Sequence, residues 1–271
     1  MNDAIEPTMI IEACRAYIAG CELPAVALSS DEVDNPVPGE MPRSLTVDEK
    51  KESAAVVANS IVSFVAGMSR QSKDDIKNSV LFATLVANRA HPEMQGQRWY
   101  EKFMEVMSRA SGWFPKRKDY SRYTTVEQQF TMDQVGLKVL SSAVAAAALP
   151  GPTSLLLLGV AKQALDALQA SEEPLKLFEG KSRSHEGGTF SIVSCTESAD
   201  DEVVMTMGTV SFSSTLDVTN VLFWNWSNTS VSISRAESHL VLNQGVYANV
   251  RDDILAKLGN NAKEAVAEYS I

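Results

Sequence analysis

The stretch KVLSSAVAAAALPGPTSLLLLGVAK, residues 138–162, holds no charge between Lys138 and Lys162 and is cut in the middle by Pro150-Gly151-Pro152. A single bilayer-spanning helix needs about 20 continuous apolar residues, and proline cannot continue a helix past its first turn. The run therefore reads as two helices joined in a hairpin. The first arrives from Thr125 through Phe130, Val135, Leu137, Val139 and Leu140 to Ala148, and the second leaves near Thr153, passes Leu155 to Leu158 and Leu165, and stops before Pro174. A helix apolar on every side belongs inside packed protein, so one expectation is a hairpin buried in a helical bundle. A sharper one is a concealed apolar tongue that leaves the bundle and enters lipid. On either reading Leu156 is core, and Leu156→Asp is expected to unfold the chain, because an unpaired buried carboxylate costs several kcal/mol.

Toward the N-terminus, Trp99, Phe103, Val106 and Met107 share one helical face between Gly96 and Gly112, and Ile76, Val80, Leu81, Leu85 and Val86 make an apolar stripe after a capping spacing at Ser72 and Asp75. Another such spacing, Thr46 to Glu49, precedes Val56, Ile61, Phe64 and Val65 and predicts a helix there. Upstream, residues 29–42 are acidic and carry Pro36, Pro38 and Pro42, which reads as an extended arm open to proteases.

Toward the C-terminus the pattern becomes β. Thr189 to Thr196 and Val203 to Ser213 alternate or are rich in β-branched residues, with Asp200 and Asp201 at the turn between them. Further strands are expected in Val218 to Trp226, Val231 to Ser234 and His239 to Leu242, then a closing helix from Val246 to Leu258 with Gly259 as its stop. The fold class expected is α+β: an N-terminal helical bundle with a central apolar hairpin, then an antiparallel β unit and closing helices. The division expected is 1–45 arm, 46–180 bundle, 187–271 β unit.

Composition narrows the function classes. A net charge of −10 argues against a nucleic-acid partner, which needs a surplus of cations. The basic cluster Lys116, Arg117, Lys118 with Arg122 sits in what reads as a connector, either a solvated loop or a contact for anionic lipid or a partner. The start has no basic, apolar signal segment, so the chain is expected to be made in the cytosol and released without a signal peptide. Cys14, Cys21 and Cys195 are too scattered for a disulfide framework and read as reduced. No nucleophile elbow, phosphate loop, dinucleotide fingerprint or zinc motif is present, and His91, His185 and His239 are far apart. Adjacent acids such as Asp252 and Asp253 do not face each other as an acid/base pair must. The expectation is no enzyme, no cofactor and no metal.

Asn78-Ser79-Val80-Leu81, Ala87-Asn88, Trp99-Tyr100, Gly112-Trp113, Leu222-Phe223-Trp224, Leu242-Asn243, Tyr247 and Arg251 together resemble a pattern of uncharacterised soluble bacterial proteins with a helical front and a β back. The architecture is also similar, without shared motifs, to bacterial pore-forming and insecticidal proteins. That resemblance implies a toxin-like protein whose partners are a target-cell membrane or receptor, with room for a second protein component. The membrane residues would be Val144, Leu149, Leu155, Leu156, Leu157, Leu158 and Val160 of the hairpin, with Trp224 and Trp226, since tryptophan favours headgroup depth. Trp224 and Trp226 share one face of an alternating strand, which core packing would also explain. The alternative function is a non-enzymatic interaction module whose hairpin is only core.

Overall fold

Strands β6 (Gly187–Glu197) and β7 (Val203–Ser213) are apolar or hydroxylic on both faces, and nearly every residue in them is buried. A strand buried on both sides needs a helical layer on each, and that requirement organises the chain. The structure, a computed structural model, describes residues 7–24, 50–94, 96–184, 187–198, 200–216 and 218–271. The α+β class holds.

The main sheet runs β10 (Val266–Ser270), β1 (Ser53–Val57), β2 (Ser60–Phe64), β6, β7, β9 (Ser232–Leu242), β3 (Trp113–Tyr123), with the short β5 (Arg183–Ser184) beside β6. All neighbours are antiparallel except β2 and β6. A separate two-stranded ribbon pairs β4 (Gln129–Phe130) with β8 (Trp226–Ser227).

One face is covered by α1 (Pro7–Gly20), α2 (Arg70–Ala90), α3 (Gly96–Arg109) and α7 (Gln244–Leu258), around Trp99, Phe103, Trp113, Met205 and Tyr247. The other carries α4 (Met132–Ala146), α5 (Gly151–Gln169) and α6 (Glu172–Ser182), around Phe178, Phe190, Ile192, Leu140, Leu157 and Trp226. A short α8 (Asn261–Glu264) leads into β10. Polar side chains clamp the first layer. Asp75 on α2 takes the Arg251 guanidinium of α7 at 2.8 and 2.7 Å. Glu197 at the end of β6 accepts from Ser69 N at 2.7 Å and Ser72 Oγ at 2.8 Å, satisfying the open start of α2.

Several expected elements are placed differently. Residues 53–64 form a β-hairpin and not a helix: Ser-Ala-Ala-Val-Val and Ser-Ile-Val-Ser-Phe put apolar groups on both faces, as a covered strand requires. The turn is made by Ala58, with a positive φ of 50°, and by Asn59, whose Nδ2 donates to Thr189 O at 2.9 Å. Thr46 and Glu49 lie outside the described residues, as do residues 1–6 and 25–45 of the expected arm, while α1 within that arm packs its Cys14 and Ile18 into the core. The basic connector is the edge strand β3, and α4 starts at Met132 and not Thr125. Most of the strand expected at 218–226 is loop and turn, and β10 and α6 were not expected. The boundary expected near residue 180 falls inside the sheet, because β1 and β2 pair with β10 and β6.

The second layer sits very close to the sheet. A Cβ on Gly208 of β7 would lie 2.5 Å from Leu140 N and 2.9 Å from its Cα, so the α4 backbone rests on the strand. Gly136 of α4 meets Ile192 of β6 in the same way, at 2.4 Å from Cδ1. Gly208→Ala is expected to lift α4 and to cost about 2 kcal/mol in urea denaturation. Gly136→Ala should cost less, because a side-chain end can move where a backbone cannot; equal stability of Gly208→Ala and the parent would contradict this packing.

Candidate functional site: the tip of the α4–α5 hairpin

The uncharged run is a helical hairpin, but it lies on the sheet as one side of a layer, α4 over β7 and β9 and α5 over β2 and β6. Only one face of each helix is therefore buried. Val144, Leu157 and Val160 are core, Leu149 and Leu158 are half-buried, and Leu155 and Leu156 are 75% and 49% exposed. Ala145, Ala146, Ala148, Pro150, Gly151, Pro152 and Gly159 are exposed around them. The closed end of the hairpin is thus an uncharged surface carrying two large apolar side chains, which a folded chain spends water-exposed area on at a cost.

The two tryptophans do not share a role. Trp226 is buried, donates Nε1–H to Val221 O at 3.0 Å and packs on Phe212 with centroids 5.9 Å apart. Trp224 is 49% exposed. Its loop meets the first turn of α4 through Asp133 N and Leu222 O at 3.1 Å, about 20 Å along the helix axis from the tip. The structure therefore brings Leu149, Leu155, Leu156 and Leu158 together and leaves Trp224 at the far end.

Beneath the tip the sheet offers a polar row that sequence reading missed. Strand register aligns Ser63, Ser194, Thr206, His239 and Arg117 across β2, β6, β7, β9 and β3. Ser194 Oγ donates to Leu157 O of α5 at 2.6 Å, Ser63 Oγ to Val193 O at 2.9 Å, and Thr206 Oγ1 to Ser194 O at 3.3 Å. His239 Nε2 is buried and has no hydrogen-bond partner among the described residues. Period-two hydroxyls in each strand were the available signal; their alignment needed the register.

Elsewhere, a concavity of about 360 Å³ opens under β1 and β10, lined by Phe64, Lys73, Lys77 and Glu268 among others. Burial pulls the Lys77 ammonium down, but its bonds to Asp74 and Glu268 outweigh that and hold it above the ordinary value. Cys14, Cys21 and Cys195 are free and buried, and burial raises each thiol. Among the described residues no group of three His, Cys, Asp or Glu could hold a metal ion; His185 lies outside them, and His91 caps α2. Among them, too, no helix is long and apolar enough to cross a membrane.

No protein-family model matches the chain, and no curated protein matches it. Among solved structures it is similar to the activated Cyt2Ba monomer from Bacillus thuringiensis subsp. israelensis, at 7% identity and a TM-score of 0.38 over 68% of this chain and 95% of that one. A delta-endotoxin matches at 8% identity and a TM-score of 0.34, over 82% of this chain and 89% of that one. The Evf virulence factor matches at 12% and 0.34, over 90% and 88%. At these scores the likeness is one of outline and carries no argument about activity.

Two outcomes follow from the site. Leu156 is not core, so Leu156→Asp is expected to change stability by less than about 0.5 kcal/mol, whereas Leu157→Asp should prevent folding; circular dichroism of the purified variants reads both. Burial, reinforced by Lys116 and opposed by Glu202, holds His239 below its ordinary value of 6.5. The unfolded chain then takes up the proton first as pH falls, so stability present above pH 6.5 is lost on descent through the folded-state value. The urea midpoint of the parent should drop between about pH 7.5 and about pH 5.5 by more than that of His239→Gln; equal drops would remove His239 from the account. The charges around this ring are Lys116, Arg117 and Glu237 on the neighbouring strands and Glu202 at the turn, and α4 after Lys138 offers none.

Proposed function

We propose that this chain is a membrane-active, toxin-like protein whose hairpin tip is its lipid-seeking end. The observation that carries the reading is the exposure of Leu155 and Leu156 at the closed end of an uncharged hairpin. Three features support it. The tip has no charged side chain to desolvate, the expensive part of entering lipid. Its neighbours are small, which lets two helices enter together. Its polar tie to the sheet, Ser194 Oγ to Leu157 O, is a single hydroxyl bond that contributes about 1 kcal/mol beside the packing of the buried Leu157 side chain.

Helix lengths set how deep the tip can go. With 15 and 19 residues, α4 and α5 are about 22 and 28 Å long, against a hydrocarbon core of about 30 Å. Lys162 and Asp166 occupy the second half of α5. The tip can seat in one leaflet without rearrangement, and a pore would require α4 and α5 to leave the sheet. The same surface would suit a protein partner in the alternative, purely interacting role, and lipid vesicles separate the two.

Sedimentation with lipid vesicles tests the seat, and dye release tests the pore. The parent chain is expected to bind vesicles, and Leu155→Asn with Leu156→Asn to weaken binding by about 3 kcal/mol, roughly a hundredfold. No binding at any pH or lipid composition would overturn the membrane reading in favour of a protein partner. A disulfide joining α5 to the sheet should abolish dye release until reductant is added; release with the tether closed would show that the hairpin need not move.

A further inference from the structure

The cations of this acidic chain are not spread evenly. On the edge strand β3, Lys116, Arg117, Lys118 and Arg122 are all exposed, with Phe114 beside them 46% exposed, in a chain of net charge −10. The register between Pro115 and Arg117 is irregular, which leaves Lys116 without a partner position on β9. Arg117 stands in the same row as Ser194, three strands away or about 14 Å, and Ser194 is the residue that holds Leu157 of the hairpin. Arg117, with the bulged Lys116 next to it, and the apolar tip therefore flank the same end of the same face, whereas Lys118, opposite Ser238, whose hydroxyl meets Tyr100 of α3, belongs to the other face.

Two of the acids near this end are engaged by arginines. Glu237 takes Arg235 at 2.9 Å and Arg117 at 3.9 Å, and Asp119 lies 3.8 Å from Arg117. The turn after β6 bears Asp200, Asp201 and Glu202; its backbone is tied to α7, where Gln244 Nε2 donates to Asp201 O at 2.6 Å, while Glu202 acts on His239 against Lys116. Lys116 and Arg117, both exposed, are the cations on the side of the tip.

Resting on the membrane reading of the tip, we infer that the β3 edge is the second half of the membrane-facing surface and that it selects anionic headgroups. A single shallow apolar insertion binds only marginally, and a neighbouring basic patch supplies the second signal that makes attachment stable. Each cation held near an anionic leaflet multiplies binding roughly fivefold. Lysine, proline and a bulge on an edge strand also keep it from pairing with other strands, and the test has to distinguish that role.

Vesicles of phosphatidylcholine alone are compared with vesicles containing phosphatidylserine, for the parent chain and for Lys116→Gln with Arg117→Gln. Lys176→Gln with Lys181→Gln on α6, which lies over β1 and β10 at the opposite edge, serves as the control. The parent is expected to bind serine-containing vesicles more tightly, and the β3 pair to lose about 25-fold there, with no change on neutral vesicles. The difference should vanish at about 1 M salt, and the α6 pair should behave as the parent. Equal binding of the parent to both lipids would overturn this inference while leaving the tip reading intact; binding to neither would overturn both. If the β3 pair binds like the parent but self-associates in light scattering, these cations are guards of the strand edge only and the inference is wrong.

Discussion

The contact of α4 with β7 at Gly208 is the constraint on which the second layer depends. Because the strand has no side chain there, the backbone of the helix around Val139 and Leu140 lies directly on the sheet. A helix brought that close shows its opposite side to water, since among the described residues no third layer lies above it. The exposed tip is thus a consequence of how the hairpin is seated: α4 and α5 each have a buried face built on Val135, Val139, Val160 and Leu165 and an outward one that the sequence leaves uncharged from Val139 to Ala161.

That uncharged outward face is the unusual part. Helices on a sheet ordinarily carry charge where they meet solvent, as α2, α3 and α7 do here with Arg70–Asp74, Glu105–Arg109 and Arg15–Asp253 pairs on the first layer. The two layers answer to different demands. The first is clamped by the Asp75–Arg251 pair and by Glu197 at the start of α2, whereas the hairpin end of the second is held over Ser63, Ser194 and Thr206, side chains too small to interlock with leucines.

The outer edges of the sheet also differ. At one end β10 closes against β1, with Tyr269 Oη donating to Ala164 O of α5 at 3.1 Å. At the other, β3 faces water with four cations and an irregular register. Four of the chain's 24 cations gathered on one short edge give it a local field that the net charge does not convey.

Strong local signals were legible in the chain. The stripe of Ile76 to Val86, the break at Pro150-Gly151-Pro152, the alternation of Val203 to Ser213 and the stop at Gly259 each set an element from nearby residues alone, because helix periodicity, proline and a positive-φ glycine act within a few residues. Residues 53–64 were misread because their pattern of valine, isoleucine and serine suits a covered strand as well as a helix, and the partners that decide the matter, β6 and β10, come more than a hundred residues later. For the same reason the sequence identified the hairpin without saying which leucines face water. Leu155 and Leu157 are chemically identical and two positions apart; Ser194 reaching Leu157 O, and the sheet lying on that side only, decided which is core and which is surface.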